Sequence, residues 1–290
     1  LNKNNYNDIR GYLQSIKDIS KIYRKMILNK FNPKDFWIIY NTVNFTKLLF
    51  EYLHSDSVIM EYISNNEIDV ICLELMEYIN SSLVLENCKL FEDLSMDKIS
   101  NKINELMFFT KECSPEVYKK YHEYSNATKK LESIKDLFNN FIKTLETKDT
   151  KDSEFIKIYE TPKSEPTLVG TTRRLNILKK NILDMNTDLI DLSTIEIKSH
   201  NGSNSMIISA EILTLTKSII KLKEKYFKSI VEEFYNYSIK FISQFEEKIE
   251  IIISFIIKCD TLQNKCYIAD KYNYCKPTLK IEEDSFLEFE

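Results

Sequence analysis

Three glycines and five prolines in 290 residues leave this chain few places to turn. Glycine supplies positive φ and proline presets a turn, so their scarcity favours long helices over a β-rich fold. No Gly or Pro lies between Gly202 and Pro277, and Ser209 to Tyr274 reads as helix. Ser114 to Glu146 reads as a second one. Between them, from about Glu154 to Ser209, the helical rhythm stops, and a basic, β-patterned stretch holds Pro162, Pro166, Gly170 and Gly202.

The remaining composition narrows the function classes. A chain with 43% hydrophobic and 29% charged residues is ordinary for a soluble globular protein and carries enough apolar residues for a sizeable core. Its net charge of −4 gives no global reason to bind nucleic acid, so any such binding needs a local basic patch. The cysteines at 72, 88, 113, 259, 266 and 275 form no C-x-x-C pair, and His54, His122 and His200 lie far from them, so no zinc site is expected. Reduced thiols in an intracellular setting fit this usage. The most apolar run, Ile249 to Ile257, is interrupted by Glu250 and is about half the roughly 20 residues that span a bilayer. No membrane association and no signal peptide are expected. The opening at Leu1 and the acidic end suggest a fragment of a larger protein.

The first block, residues 1–113, reads as a helical base. Asp18, Ile19, Ile22, Tyr23, Met26 and Ile27 recur at helical spacing, and Asn32-Pro33 followed by Asp35 starts a helix bearing Phe36, Ile39, Tyr40, Val43, Leu48 and Leu49. Ile68, Ile71, Cys72, Leu75, Met76 and Ile79 form a further core stripe. Ser114-Pro115-Glu116 combines a cap, a first-turn proline and a carboxylate at the positive helix end. From there Tyr118, Tyr121, Tyr124, Leu131, Ile134, Phe138, Phe141 and Leu145 make a stripe that requires a partner helix. Ile212, Leu215, Ile219, Leu222, Tyr226, Ile230, Phe234, Tyr237 and Phe241 continue the same rhythm on the far side of the interruption, as its natural partner.

Inside residues 154–209, Glu154 to Glu160 and Thr167 to Val169 read as strands, with Pro162 and Pro166 closing the first. Thr171-Thr172 can cap a short helix from Arg173 to Asn181. Thr194 to Ser199 reads as a strand that turns at Asn201-Gly202 into Ser205 to Ser209. A small antiparallel sheet with one helix is expected. Six basic residues, Lys157, Lys163, Arg173, Arg174, Lys179 and Lys180, face three acidic ones between Glu154 and Asn181, leaving about +3 in an acidic chain. With Lys198 and the hydroxyl and amide of Thr172, these are the candidate contacts to a phosphate backbone. The bland reading is that such pairs only solvate a helix face.

Two segments carry a family resemblance. Lys17-Asp18-Ile19-Ser20-Lys21-Ile22-Tyr23-Arg24-Lys25-Met26, followed by Asn32-Pro33-Lys34-Asp35-Phe36, resembles the start of the core or lever domain of the MutS DNA mismatch repair family, with Ser20 and Lys21 where that family commonly has Glu and Arg. Cys259-Asp260-Thr261-Leu262, then Ala269, then Asn273-Tyr274 and Pro277, is similar to the MutS segment leading from the levers toward the ATPase domain. Phe155-Ile156-Lys157-Ile158 and Thr172-Arg173-Arg174-Leu175 resemble the β-rich clamp joining the lever helices.

The resemblance implies a mainly α fold in which paired antiparallel helices on a helical base carry a small antiparallel clamp at the tip. Residues 1–113 would be the base, 114–153 the descending lever, 154–209 the clamp, 210–278 the returning lever and connector, and 279–290 the start of an ATPase domain. The clamp would touch duplex DNA, mismatched in the full-length context, without reading sequence. No G-x-x-x-x-G-K-[ST] occurs, so this chain is not expected to be an enzyme or to hold a cofactor. ATP and Mg would belong to the full-length parent, an ATPase working as a dimer, expected as a homodimer, in the nucleus, cytoplasm or a viral replication site. The mismatch-reading Phe-x-Glu of that family belongs to an N-terminal domain, and Phe286-Leu287-Glu288 lies at the opposite end. Richness in Asn, Lys and Ile suggests an AT-rich genome, such as that of a large DNA virus or a protist. The rival reading is a helical-hairpin adaptor or tether whose β-rich tip binds a protein partner.

Overall fold

The computed structural model describes residues 3–28, 30–63, 67–91, 107–145, 154–161, 164–182 and 187–274. They fall into two compact units, one comprising Leu1–Phe31, Asp35–Ile79 and Phe241–Glu290, the other Asn32–Lys34 and Asn80–Lys240. Helix dominates both. Among the described residues no helix is long and apolar enough to cross a membrane.

The first unit draws on helices α1 (Lys3–Ser15), α2 (Ile19–Ile27), α3 (Pro33–Leu53), α4 (Ser57–Ile63) and α5 (Ile68–Ser82). Asp18 caps α2 by accepting a hydrogen bond from the Lys21 backbone N–H at 3.2 Å. Its apolar stripe then buries Ile19, Ile22 and Met26. Asp35, only 1% exposed, is compensated by the Lys25 ammonium at 2.9 Å. Phe36, Phe50 and Tyr78 pack edge-on or tilted against Phe241, Phe255 and Phe245 respectively, with Phe36–Phe241 centroids 5.0 Å apart. Leu48, expected in the core of α3, is instead exposed, while Leu49 and Phe50 beside it are buried.

The second unit contains α6 (Leu85–Cys88), α7 (Pro115–Leu145) and the first half of α9 (Ala210–Lys271). Lys120 Nζ donates to Ser229 Oγ at 3.0 Å, Tyr124 stacks on Tyr226, and Leu131 lines the same cleft as Ile219. Residue numbers therefore rise along α7 as they fall along α9, and the two helices run antiparallel. The seam on α7 is Val117, Tyr124, Leu131, Ile134, Phe138 and Ile142, whereas Tyr118, Tyr121 and Phe141 sit at its margins. Tyr226 is fully buried at its centre, with its hydroxyl 3.3 Å from the Met107 sulfur. Burial drives its pKa well above the ordinary phenol value.

Between α7 and α9 the chain forms β1 (Ile156–Thr161), β2 (Ser164–Thr171), α8 (Thr172–Asn181), β3 (Glu196–Asn201) and β4 (Asn204–Ile208). The sheet is antiparallel throughout, in the order β1-β2-β4-β3. The β3–β4 connection is the expected tight turn, with Gly202 at φ 57°, a conformation that favours glycine. Pro166 does not end a strand but lies inside β2. The β1–β2 register shifts between Tyr159 and Thr161, opposite this residue, so the missing proline N–H falls where the ladder is already irregular.

Candidate nucleic-acid interface

Strand alternation assigns each side chain of the sheet to one of two faces. Ile156, Leu168, Gly170, Ser205 and Ile207 share the inner face and are buried. Helix α8 covers that face with Leu175 and Leu178. Gly170 is needed there: a Cβ would stand 2.9 Å from the Phe155 carbonyl oxygen and 3.2 Å from Leu175. Lys157, Tyr159, Val169, Met206 and Lys198 share the opposite, open face. On it Tyr159 meets His200 edge-on at 5.3 Å.

Three side chains of the helices hold the module. Asn139 of α7, 7% exposed, accepts hydrogen bonds through Oδ1 from the backbone N–H groups of Phe155 and Ile156, at 2.9 and 2.8 Å. Its Nδ2 donates to the Ile156 carbonyl at 3.0 Å. Lys135 of α7 pairs with Glu154 at 3.2 Å, and Lys223 of α9 pairs with Glu160 at 2.6 Å. Burial alone would lower the Lys135 pKa, but Glu154 and Asp136 outweigh it and hold the ammonium above its ordinary value.

The basic residues singled out by sequence do not form one cluster. Arg173 and Lys180, seven positions apart on α8, are exposed on the side opposite Leu175 and Leu178, facing away from the sheet. Lys179 is exposed on one flank of that helix. Arg174 lies on the other, its guanidinium 4.4 Å from the centre of the Phe155 ring. Arg174 and Lys157 together line an open depression of about 620 Å³, with Tyr159, Thr171 and Asn204. Lys198 lies on the open face, 3.5 Å from Glu196. Lys163 lies outside the described residues.

Thr172 is engaged within the protein. Its hydroxyl bonds the Ser203 carbonyl and the Ser205 hydroxyl, both at 2.8 Å, and its N–H donates to the Ser203 carbonyl at 2.9 Å. It ties the start of α8 to the β3–β4 turn. Thr171 stands at the cap position but makes no side-chain capping bond. Chemically the module offers exposed guanidinium and ammonium groups on a rigid helix, suited to charge-assisted bonds with phosphate oxygens. Among the described residues no group of three or more His, Cys, Asp or Glu side chains is placed to hold a metal.

Sequence comparison gives this geometry a context. No family profile matches the chain. It is 23% identical, over 98% of its length, to the DNA mismatch repair protein MutS of Ehrlichia ruminantium (strain Welgevonden), covering 30% of that protein. It is 21% identical, over 96% of its length, to a putative DNA mismatch repair protein mutS homolog of Acanthamoeba polyphaga mimivirus, covering 25% of it. The MutS of Petrotoga mobilis matches 93% of the chain at 19% identity. The chain is a relative of MutS.

It spans between 25% and 30% of the length of these MutS relatives. The MutS-like segments now have physical roles. Asp18 caps α2 and Pro33 opens α3, while Cys259 is buried in α9. Asn273 adopts φ 53° just past the end of α9, and the Tyr274 N–H donates to the Ala269 carbonyl at 2.9 Å. This closes the helix in the manner of a Schellman motif, a conformation that Asn tolerates better than most residues.

Proposed function

We propose that residues 154–209 are the clamp of a MutS-type mismatch repair protein, gripping the backbone of duplex DNA without reading its sequence. The observation that carries this reading is α8: a rigid helix that presents Arg173, Lys179 and Lys180 to solvent. It belongs to a small sheet inserted between two long antiparallel helices, in a relative of MutS whose net charge is −4. Phosphate contacts position a protein on duplex DNA and carry no sequence information, which suits a grip.

In this reading residues 1–113 are the base, 114–153 and 210–278 the two levers, and 279–290 the approach to an ATPase domain. The parent protein binds ATP and Mg there, engages mismatched DNA and works with a second MutS-type subunit, as a homodimer. It acts wherever its DNA is kept, in nucleus, cytoplasm or viral replication site. The levers relay nucleotide-driven movement to the grip, and Asn139 supplies a tie through which α7 carries the sheet with it.

The test is the quadruple variant K157Q/R173Q/K179Q/K180Q of the full-length protein, which leaves Thr172 and Arg174 to hold the fold. Duplex affinity at physiological salt is expected to fall about tenfold or more. Parental affinity in a normally folded variant would contradict the clamp reading and favour a tip that binds protein.

A further inference from the structure

Helix α8 covers one face of the sheet and leaves the other open. The strand register sets Lys157, Val169, Met206 and Lys198 side by side in one row across the open face. Tyr159, on edge strand β1, and His200, on edge strand β3, lie at diagonal corners around that row. The edge strands of a flat four-stranded sheet stand about 14 Å apart, whereas these two rings meet at 5.3 Å, so the twisted sheet brings the corners toward each other across the row.

Beside this pair of rings lies the open depression of about 620 Å³, within the range of roughly 300–1,000 Å³ that holds small organic ligands. Tyr159, 47% exposed, lines it together with Val169, Thr171, Asn204 and the cations Lys157 and Arg174. The carboxylates on this side of the sheet are paired: Glu154, which borders the depression, with Lys135 at 3.2 Å, and Glu196 with Lys198 at 3.5 Å. Lys157 has no ion-pair partner among the described residues. The Phe155 ring holds the Arg174 guanidinium in place, so that its charge is preorganised at the edge of the depression.

One exposed ring or one lysine on a sheet is ordinary. An exposed ring, an uncompensated ammonium and a fixed guanidinium around one depression exceed what solvation of a sheet face requires. A nucleobase offers a π face to an aromatic ring, and its phosphate offers an anion to the cations beside it. In a duplex the base faces are taken up by the stack, so only an unpaired nucleotide meets both.

We propose that the open face of the sheet binds unpaired nucleotides of single-stranded DNA, the base stacking on Tyr159 and the phosphate pairing with Lys157 and Arg174. It rests on the reading that this module meets DNA, and it places a second class of substrate on the face that α8 leaves open.

The test compares Tyr159→Leu, Tyr159→Phe and R173Q/K179Q/K180Q, all in the full-length protein, on a labelled oligothymidylate and on a matched duplex of the same length. Tyr159→Leu is expected to weaken the single strand about fivefold or more, the lower end of what one stacked base contributes, with parental affinity for the duplex. Tyr159→Phe keeps the ring and is expected to bind both as the parent does. Parental single-strand affinity in Tyr159→Leu would overturn the proposal and fit a face that docks protein. An equal loss on single strand and duplex would also overturn it, leaving Tyr159 a support of the fold. In either case a duplex affinity lowered by R173Q/K179Q/K180Q leaves the clamp reading standing. If that variant keeps the parental duplex affinity while Tyr159→Leu loses the single strand, the clamp reading fails and the single-strand site stands.

Discussion

At Asn139 one side chain satisfies three backbone groups of another element: the N–H groups of Phe155 and Ile156 and the Ile156 carbonyl. A buried donor left without a partner costs about 1–3 kcal/mol, so Asn139→Ala is expected to destabilise the protein by about 2–4 kcal/mol, read from the urea midpoint. An unchanged midpoint would show that the tie is not what fixes the start of β1. Sequence did not single out this residue. A polar side chain one step past Phe138 on an apolar stripe looks like an imperfection of the pattern, because its partners arrive 16 and 17 positions later. The exposure of Arg173 and Lys180 follows from their charge, and what charge could not show was that Arg174 covers Phe155 and Thr172 is spent on the β3–β4 turn.

Buried thiols set the pH response at the same scale. Burial pushes Cys72, Cys88 and Cys259 up to about 12 from an ordinary value of 9.0. Each therefore contributes stability that is fully present below the unfolded value and is lost as pH rises toward the folded one. Burial first, and then neighbouring carboxylates, act on Tyr124 in the same direction. Chemical denaturation is expected to give level stability to about pH 8 and a progressive loss from about pH 9 to 12. Level stability across that range would mean that these groups are not buried as described.

Helices were legible as elements because the chain so rarely interrupts them. Ser114-Pro115 marked the start of α7, and the absence of Gly and Pro after Gly202 marked the length of α9, which runs unbroken from Ala210 to Lys271. Strand limits were less legible. A proline predicts the end of a strand, yet β2 passes through Pro166 at a register shift, a tolerance that only the pairing of β1 with β2 reveals. The end of α9 has its own signature in Asn273, whose left-handed conformation suits Asn or Gly and strains a β-branched side chain. Asn273→Gly is expected to be near neutral, while Asn273→Val costs about 1–2 kcal/mol in thermal unfolding. Equal stability of the two variants would show that the closing turn can relax elsewhere.

Taken as a whole, the chain is acidic, with a net charge of −4, and its exposed cations are spread over several helices, the outer side of α8 among them. Charge alone names no partner, since an acidic protein surface attracts the same cations as a phosphate backbone. The structure adds their placement: Arg173 and Lys180 lie on the side of α8 that faces away from the sheet.

A grip that ignores sequence has a specific electrostatic signature, and one measurement reads it directly. The affinity of the full-length protein for matched and mismatched duplexes is titrated against salt, with and without K157Q/R173Q/K179Q/K180Q. A clamp that holds the backbone gives a variant whose log–log slope is shallower by about one for each phosphate it no longer neutralises, equally on both duplexes, with the preference for the mismatch retained. A parental slope in the variant, or a weakening confined to the mismatched duplex, would contradict it.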